Sequence, residues 1–585
     1  MDFQQEFNQS FDIVNCKIPN QQTLRVNGFF LHSQYDPIKE AKKNVDRNYK
    51  RNHLHILIGI GAGYIADELL SKFFESDHLL IIEPNIEIVN AMINKGCYKK
   101  AFNNKQVSLL IGENISNIDV ITSNLIREYV GRMIIIESPN FNKVYPDTFN
   151  YVVGKIKDMS NTEIINLNTT IQFAEIWQEN FLINIKQALN SIPIRSLHNK
   201  LTCPAIIVSG GPSLTKQLPV LKEIIEKDLA LVICAGSTIN SLLKYDIKPH
   251  IIVSIDGGEG NAFHFKDMDI SDIPLFYSLN VHPLIPRNHK GLKIVFKTEG
   301  DGLDSWVSNN LMDIGVVKGG ATVSNFSLDI ARKLTSGSIC VIGQDLAYTN
   351  NETHAAGNKN LTSNELQETL KSREMIPIKG YYGEEVFTDY SLLTMKYNFE
   401  QYIRYVVEDF DNRKFFNATE GGAYIEEFEN ITFKEFRQSF ANKSYHQELN
   451  SLFENASLIK ETISLKDFKK GIQAEITKLS KIEDICISGL KRLRKVKKSD
   501  YEFSSNDINF LNEIDLKLQK LLQDNFMVYM FEFVLIKFNK NYNNTDRNSK
   551  ENKLIFDKST YLYENILKVL IKSKPWLNEL FDQVK

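Results

Sequence analysis

Residues 203–214 read CPAIIVSGGPSL, and this stretch decides the fold. An apolar run of strand length meets two glycines, a proline and a serine, and a helical pattern of apolar residues then begins. Further strand-length apolar runs, separated by helical patterns, follow at 229–237, 250–258, 273–279, 292–298 and 336–349. Strands that alternate with helices indicate βαβ units and a parallel sheet.

An earlier part of the chain repeats the pattern. HLHILIGIGAGYIADELL at 53–70 is again strand, glycines and helix, and strand-like runs follow at 79–85, 107–113 and 131–138. Residues 145–200 look helical, and from about residue 440 glycine becomes scarce while apolar residues recur at helical spacing. We therefore predict a multidomain α/β protein with two Rossmann-like domains and a C-terminal helical domain. The predicted domains are 1–195, 196–435 and 436–585.

Composition excludes several classes of protein. The chain has 585 residues, more than one hydrophobic core holds, and a net charge of −3, which argues against a nucleic-acid surface. Six scattered cysteines with no CxxC pair argue against a zinc site and are typical of a reducing compartment. The N-terminal residues lack a signal-peptide pattern, and no apolar run of membrane-spanning length occurs. We expect a cytoplasmic protein without a membrane span.

The turn at Gly210, Gly211, Pro212 and Ser213 is the sharpest candidate for a binding site. Glycines allow a ligand to approach the backbone, and proline suits the first turn of a helix, whose N-terminus attracts phosphate. Ser213 would add a hydroxyl donor. The alternative is a tight strand-to-helix turn that binds nothing.

Other small and polar residues follow strands of the same predicted sheet, whose carboxyl edge is where open α/β sheets bind ligands. Asp256 is a candidate for a ribose hydroxyl, with a turn cap as the alternative. The remaining candidates for the binding site are Gly236, Ser237, Gly320, Thr322, Gly343, Gln344, Thr419 and Glu420.

Polar residues just past the strand at 336–342 are the candidates for chemistry. Asp345 and Tyr348 lie in this segment, and His354, in the polar loop beyond, is the best-placed histidine for general-base catalysis. Tyr382 is a further catalytic candidate. The alternative for His354 is a solvent-exposed loop histidine.

Six motifs in register resemble the motility-associated factor (Maf) glycosyltransferases: SGGPSL (209–214), VSIDGG (253–258), GGATVSNFSLDIA (319–331), GQDLAYTNNETHA (343–355), GYYGEEVFTD (380–389) and NATEGGA (417–423). The resemblance covers about residues 25–430. It implies transfer of a nonulosonic acid, of the pseudaminic or legionaminic type, from a CMP-activated donor to serine and threonine hydroxyls of flagellin, as needed for flagellar assembly and motility. It also implies a catalytic domain similar to bacterial sialyltransferases.

The resemblance assigns Gly210 to Ser213 to the CMP, and Thr419 and Glu420 to the closing of the pocket near the nucleotide. Two departures matter: sialyltransferases carry an asparagine where this chain has Gly210, and their histidine base lies further beyond its strand than His354 does. Tyr381, Tyr382 and Asp389 are therefore rival bases, and Tyr348, Tyr381 and Tyr382 are candidate donors to the leaving phosphate. No DxD-like motif appears, so we expect inversion without an obligatory metal and without a cofactor.

Three other functions stay open. GIGAGY at 59–64 with Glu83 at the end of the next strand is similar to the S-adenosylmethionine site of methyltransferases, although a glycine motif alone is weak. The archaeal pterin pyrophosphokinases, which use ATP and magnesium, share the GGPS turn. A flagellin-binding chaperone could keep the fold and lose catalysis. We expect the N-terminal domain and the C-terminal helices to hold flagellin.

Overall fold

The structure is a computed structural model that describes residues 4–299, 303–310, 313–348, 375–407, 411–459, 465–522, 525–542 and 551–583. The chain divides into two compact units, Met1–Thr169 and Thr170–Lys585. The division falls within a single helix, Pro146–Ala188.

The first unit is built on a four-stranded parallel sheet. Its strand order is Val107–Ile111, His78–Glu83, Leu54–Ile58, Met133–Glu137. All five residues of Leu54–Ile58 are buried, as expected for a central parallel strand covered on both faces. A small antiparallel sheet precedes it, with strands Phe11–Asn15, Gln22–Val26 and Phe29–Phe30. The helices of this unit before Pro146 are Gln4–Phe7, Pro37–Asn48, Tyr64–Lys72, Ile86–Asn94, Lys99–Phe102, Ile118–Glu128 and Phe141–Val144, with a 3-10 helix at Gly112–Asn117.

The second unit contains a ten-stranded sheet in which every described pair of neighbours is parallel. Nine of its strands follow one another across the sheet in the order Val316–Val317, Lys293–Thr298, Leu275–Ser278, Ile251–Ser254, Leu231–Ala235, Ala205–Val208, Ile339–Ile342, Phe415–Asn417, Glu429–Asn430. The short strand Ile192–Pro193 pairs with Lys293–Thr298. From Ala205–Val208 the chain adds strands towards one edge, and Ile339–Ile342 then pairs on the opposite side of Ala205–Val208. The strand order therefore reverses between these two strands, which defines a topological switch point.

Helices connect the strands and extend beyond the sheet. Those between residues 194 and 459 are Leu214–Glu226, Ile239–Leu243, Glu259–Phe265, Leu284–Asn288, Asp304–Asn310, Val323–Leu334, Tyr390–Val406, Phe433–Ser439 and His446–Leu458, with 3-10 turns at Ile194–Leu197 and Gly236–Thr238. A hairpin joins Ile376–Lys379 to Glu385–Thr388. The C-terminal helices are Leu465–Lys498, Ser505–Leu522, Val528–Tyr542 and Glu551–Gln583.

The predicted fold class is confirmed: two parallel α/β sheets are followed by a helical C-terminal region. The three predicted domain ranges stay a prediction. In the second unit, Phe181 of the long helix, Ile206 of the central sheet and Phe468 of the C-terminal helices belong to one buried core. In the described parts of the chain, no helix is both long enough and apolar enough to cross a membrane.

Candidate functional site

Two loops meet at the switch point of the central sheet, at the carboxyl ends of strands Ala205–Val208 and Ile339–Ile342. The backbone N–H of Gly211 donates to the carbonyl oxygen of Gly343 over 2.8 Å. Gly343 has φ of +63°, and a side chain there would clash with the Ser209 carbonyl, so the close approach needs glycine. The predicted Gly-Gly-Pro-Ser turn and the predicted Gly-Gln-Asp segment therefore lie against each other.

Asp345 holds the turn through Ser213. Its Oδ2 accepts a hydrogen bond of 2.7 Å from Ser213 Oγ, and the Ser213 N–H lies 3.3 Å from both carboxylate oxygens. The carboxylate is buried and supplies the negative charge that the N-terminus of helix Leu214–Glu226 attracts. Ser213 Oγ, predicted as a donor to a ligand, thus donates to Asp345, and Asp345 itself acts on the shape of the turn.

Gly211 fits because it has no side chain. A Cβ at this position would lie 2.1 Å from Asp345 Oδ2 and 2.6 Å from the Gly343 carbonyl oxygen. Gly210, Gly211 and Pro212 remain half-buried, so the outer surface of the turn is open to solvent.

A third segment, Thr419–Gly422, lies against the same two loops. Thr419 Oγ1 accepts from the Gln344 backbone N–H over 3.2 Å, and Gln217 Nε2 donates to the Thr419 carbonyl oxygen over 3.0 Å. The Glu420 carbonyl accepts hydrogen bonds from Lys216 Nζ and from the Tyr382 hydroxyl. The predicted nearness of Thr419 and Glu420 to the glycine turn is therefore observed.

The backbone in these loops adopts rare conformations. Leu346 and Glu420 have φ of +52° and +54°. Residues with side chains rarely adopt this left-handed region, and such residues are concentrated at functional sites, where the surrounding contacts hold them in place.

The N-terminus of helix Val323–Leu334 completes the group. Ser324 Oγ lies 2.7 Å from Ser209 Oγ, which in turn donates to Gln344 Oε1. Thr322 caps this helix by accepting from the N–H groups of Ser324 and Asn325. Gly320 lies where a Cβ would meet the Asn398 side chain. Gly320 and Thr322 thus shape the helix entrance, and a ligand contact by either stays a prediction.

Three buried polar atoms around this edge have no hydrogen-bond partner in the described part of the chain: Gln217 Oε1, Asn325 Nδ2 and Asn417 Nδ2. Buried amide atoms in folded proteins are nearly always paired with protein, water or ligand. Sequence reasoning missed Gln217 and Asn325. Each lies within the first turn of a helix that begins at a predicted glycine turn. That position is the sequence feature that could have identified them as candidates.

The candidate tyrosines are already engaged as hydrogen-bond donors. The Tyr348 hydroxyl donates over 2.5 Å to Asp389, which also caps helix Tyr390–Val406. The Tyr381 hydroxyl reaches the Ile431 carbonyl oxygen over 2.9 Å. Tyr382 is 70% exposed; burial and the nearby Glu420 raise the pKa of its hydroxyl, which stays protonated at neutral pH.

Asp256, Gly236 and Ser237 lie just past two neighbouring strands, at the same edge of the sheet. Gly236 follows strand Leu231–Ala235 and packs against the Phe265 ring. Asp256 follows strand Ile251–Ser254 and is exposed, and its carboxylate accepts no hydrogen bond from the described residues. Protein nevertheless surrounds this carboxyl, and the reduced solvation raises its pKa. His354, the predicted base, lies outside the described residues.

The glycine turn of the first unit is closed, in contrast. Glu83 accepts hydrogen bonds from the backbone N–H groups of Ile60 at 2.9 Å and Asn85 at 3.2 Å. His32 Nε2 accepts from the Ala62 N–H over 2.9 Å, and Tyr98 donates to the Gly61 carbonyl. The atoms that a methyltransferase would offer to its cofactor are thus bonded within the protein.

The described residues contain no group of three or more His, Cys, Asp or Glu side chains arranged to hold a metal ion.

Three comparisons with known proteins bear on this site. A family model described as "6-hydroxymethylpterin diphosphokinase MptE-like" matches residues 179–351. A protein of Treponema pallidum (strain Nichols), described as uncharacterized, is 22% identical over 209 residues, which cover 34% of this chain and 70% of that protein. The solved structure of a Maf glycosyltransferase from Magnetospirillum magneticum AMB-1 matches with a TM-score of 0.58 at 15% identity, covering 98% of this chain and 93% of that one.

The chain therefore has the fold of that Maf glycosyltransferase over nearly its whole length. The predicted resemblance to Maf glycosyltransferases is confirmed at the level of the fold.

Proposed function

We propose that the protein is a glycosyltransferase that moves a nonulosonic acid, of the pseudaminic or legionaminic type, from a CMP-activated donor to serine and threonine hydroxyls of flagellin. The observation that carries the proposal is the meeting of three loops, 209–213, 343–348 and 419–422, at the switch point of a chain with the Maf glycosyltransferase fold. Open α/β sheets bind nucleotides at such a point.

In the proposed complex the CMP lies against the half-open surface of the Gly210–Ser213 turn. On the side of strand Ile339–Ile342, bonds among Lys216, Tyr382 and Glu420 hold the loops together. The sugar is therefore directed the other way, over strand Leu231–Ala235 towards Asp256. Asp256 follows a strand two places from Ala205–Val208, a lateral distance of about 10 Å. We assign polar contacts with the nucleotide to three unpaired amide atoms, Asn325 Nδ2, Asn417 Nδ2 and Gln217 Oε1.

The transfer step needs little from the protein beyond position and a base. The acceptor oxygen attacks the anomeric carbon as the bond from that carbon to the phosphate oxygen breaks, and its electron pair leaves with CMP. The acceptor proton goes to a general base on the opposite face, which gives inversion. Tyr382 is the proposed donor to the leaving phosphate, and its hydroxyl would exchange its bond to the Glu420 carbonyl for one to the phosphate. Asp345 is a positioning residue, because its carboxylate is already bonded to Ser213.

Two residues compete for the role of base. His354 is the sequence-based candidate, and Asp256 is an acid at this edge whose carboxylate accepts no hydrogen bond from the described residues. Removal of a general base lowers kcat by about 10²–10⁴-fold. Asp256→Asn and His354→Gln should therefore be compared for kcat and for its pH profile: the variant that loses the acidic limb while still binding CMP lacks the base.

The direct test is turnover. The purified full-length protein is incubated with CMP-pseudaminic acid or CMP-legionaminic acid, with and without flagellin, and both CMP release and the mass of flagellin are measured. A flagellin mass increase of one sugar, unchanged in EDTA, is expected, since the proposal includes neither a metal nor a cofactor. Activity that EDTA abolishes and a divalent ion restores would contradict metal independence.

A second candidate function has an observation of its own. The pterin diphosphokinase model matches residues 179–351, which include the Gly-Gly-Pro-Ser turn and the Gly-Gln-Asp segment. Calorimetry separates the candidates: binding of ATP with magnesium, and none of CMP, would favour the diphosphotransferase. Flagellin binding without any turnover of either donor would favour a chaperone. The extended segments around Tyr382 and Thr419, which lie outside the matched range, favour sugar transfer. Cytoplasmic location and the flagellin partner belong to the same proposal.

A further inference from the structure

A cavity of about 1040 Å³ opens between two consecutive helices of the second unit, Glu259–Phe265 and Leu284–Asn288. Its upper end begins at Glu259, three residues beyond Asp256, and it continues down to Asp269 and Lys290 at the opposite edge of the sheet. The cavity is therefore distinct from the glycine turn but begins beside the end of the donor site where the sugar is proposed to lie.

The charges of the lining are balanced, which does not favour a second charged nucleotide. Two lysines, Lys266 and Lys290, are matched by two acids, Glu259 and Asp269. Between them the walls are mixed, with Ser271 and Asn288 beside apolar residues, and two large apolar side chains are exposed: Phe263 is 54% exposed and Leu284 is 45% exposed. Exposed apolar groups with a polar border are typical of surfaces that bind protein.

A buried polar atom beside the cavity has no partner among the described residues. His289 lines the cavity and is 8% exposed, and its Nε2 has no hydrogen-bond partner in the described part of the chain. Burial, with Lys293 nearby, lowers the pKa of His289 to about 4, so the ring is neutral at pH 7. A neutral imidazole nitrogen pairs well with a peptide N–H or carbonyl group.

We infer that this cavity holds an uncharged segment of the acceptor polypeptide, with an apolar side chain between Phe263 and Leu284 and a peptide group at His289. The inference rests on the proposed function and adds to it the place where the acceptor chain binds. The serine or threonine that receives the sugar would follow this segment, at the Asp256 end of the cavity. This assignment differs from our sequence-based expectation, which put flagellin on the N-terminal domain and the C-terminal helices.

The test uses flagellin monomer of the source organism as the probe, and measures its binding by calorimetry without donor. Leu284→Ser should weaken binding about tenfold, since a partly buried leucine contact is worth roughly the 1.4 kcal/mol that a tenfold change represents. Phe263→Ser should act alike, and His289→Phe, which keeps a ring but loses the hydrogen bond, by about three- to tenfold. Leu458→Ser, at a leucine 74% exposed outside the cavity, is the matched control.

CMP release from the sugar donor in the absence of flagellin separates the two proposals. The cavity assignment predicts that all four variants release CMP like the parent. Equal flagellin binding by the Leu284, Phe263 and control variants would overturn the cavity assignment, as would absence of flagellin binding by the parent. Loss of flagellin binding by Leu284→Ser, in a protein that never consumes either donor, would keep the cavity and overturn the sugar transfer.

Discussion

Two turns of this protein share one sequence pattern and differ in what covers them. GIGAGY at 59–64 and SGGPSL at 209–214 each join a buried parallel strand to a helix through glycines. In each, the carboxylate of an acid from elsewhere in the chain accepts backbone N–H groups: Glu83 in the first turn and Asp345 in the second.

The difference lies on the outer side of the turns. Gly59, Gly61 and Gly63 are buried, with His32 and Tyr98 bonded to the loop, whereas Gly210 and Gly211 stay half-exposed. The first turn is filled by its own unit, and the second is open at a switch point. A glycine turn therefore lets another group lie close to the backbone. The side chains around the turn decide whether that group is a ligand or another part of the protein.

Valine substitutions should separate the two turns most strongly. Gly211→Val pushes a side chain into Asp345 and the Gly343 carbonyl, so the loops that line the proposed CMP site must move apart. We expect CMP affinity to fall by about 100-fold or more, which corresponds to about 2.8 kcal/mol of binding free energy. Gly61→Val, with φ of +52° and a Cβ position 2.3 Å from His32 Nε2, should instead lower the free energy of unfolding by about 3 kcal/mol.

The measurements are CMP calorimetry and urea unfolding of both variants. Gly154→Val, at a helical glycine with no neighbour within 4 Å of its Cβ position, is the control for the loss of a glycine. If Gly61→Val weakened CMP binding as much as Gly211→Val does, the two turns would not differ in the way described.

Glu83 makes the closed turn sensitive to pH. Burial raises the pKa of this carboxyl from 4.5 to about 7. Below pH 4.5 both the folded and the unfolded state hold the proton. Between pH 4.5 and 7 only the unfolded state ionises, so stability falls, and above pH 7 the loss is complete at about 3 kcal/mol.

His32 and His55 have the opposite effect over an overlapping interval, from about pH 4 to 6.5, because burial lowers the pKa of each from 6.5 to about 4. The difference between Glu83→Gln and the parent isolates the carboxyl. Hydrogen exchange of a peptide covering residues 54–66 should show the variant gaining stability relative to the parent from pH 5 to pH 8, while a peptide covering 205–213 should not change. A constant difference across pH would mean that Glu83 is ionised throughout.

The open turn should respond to loss of its carboxylate in function and not in fold. Asp345→Asn replaces one acceptor oxygen by an amide donor facing Ser213, and we expect kcat/KM for donor hydrolysis to fall by about 30-fold. Ser213→Ala should cost about tenfold. Because both remove the same bond, the double variant should lose little more than Asp345→Asn alone. Additive losses would show that the two side chains act separately.

Some of these features could be predicted from the sequence, and others could not. The strands were predictable because buried parallel strands, such as Leu54–Ile58, read as continuous apolar runs. The nearness of Gly211, Gly343 and Thr419 was predictable because carboxyl ends of parallel strands share one edge. The partner of a given side chain was not: Ser213 and Asp345 lie 132 positions apart, and nothing local distinguishes a carboxylate that binds a ligand from one that binds a turn.

The turn at 59–64 also shows that the sequence does not reveal which side chain packs against a turn. His32 lies 30 positions before Ala62, outside the strand and helix that the turn joins, yet its ring occupies the space beside Gly61. The predicted similarity to a methyltransferase site depended on the GIGAGY turn at 59–64 and on Glu83, and both features are present without the open space that a cofactor needs.

The smallest expected effect concerns the turn at 59–64, where protein side chains occupy the space beside the glycines. Calorimetric titration of the full-length protein with S-adenosylmethionine should give no binding heat at millimolar concentration, because the Glu83 oxygens that would accept ribose hydroxyls already accept N–H groups, and His32 lies against Gly61. His32→Ala, which vacates the ring, is the sharper variant: if it binds S-adenosylmethionine while the parent does not, the side chain is what closes an otherwise complete site. If neither protein binds S-adenosylmethionine, the hydrogen bonds of Glu83 suffice to keep the turn closed. The two turns then differ in the bonding of Glu83 and Asp345 as well as in the side chains that cover them.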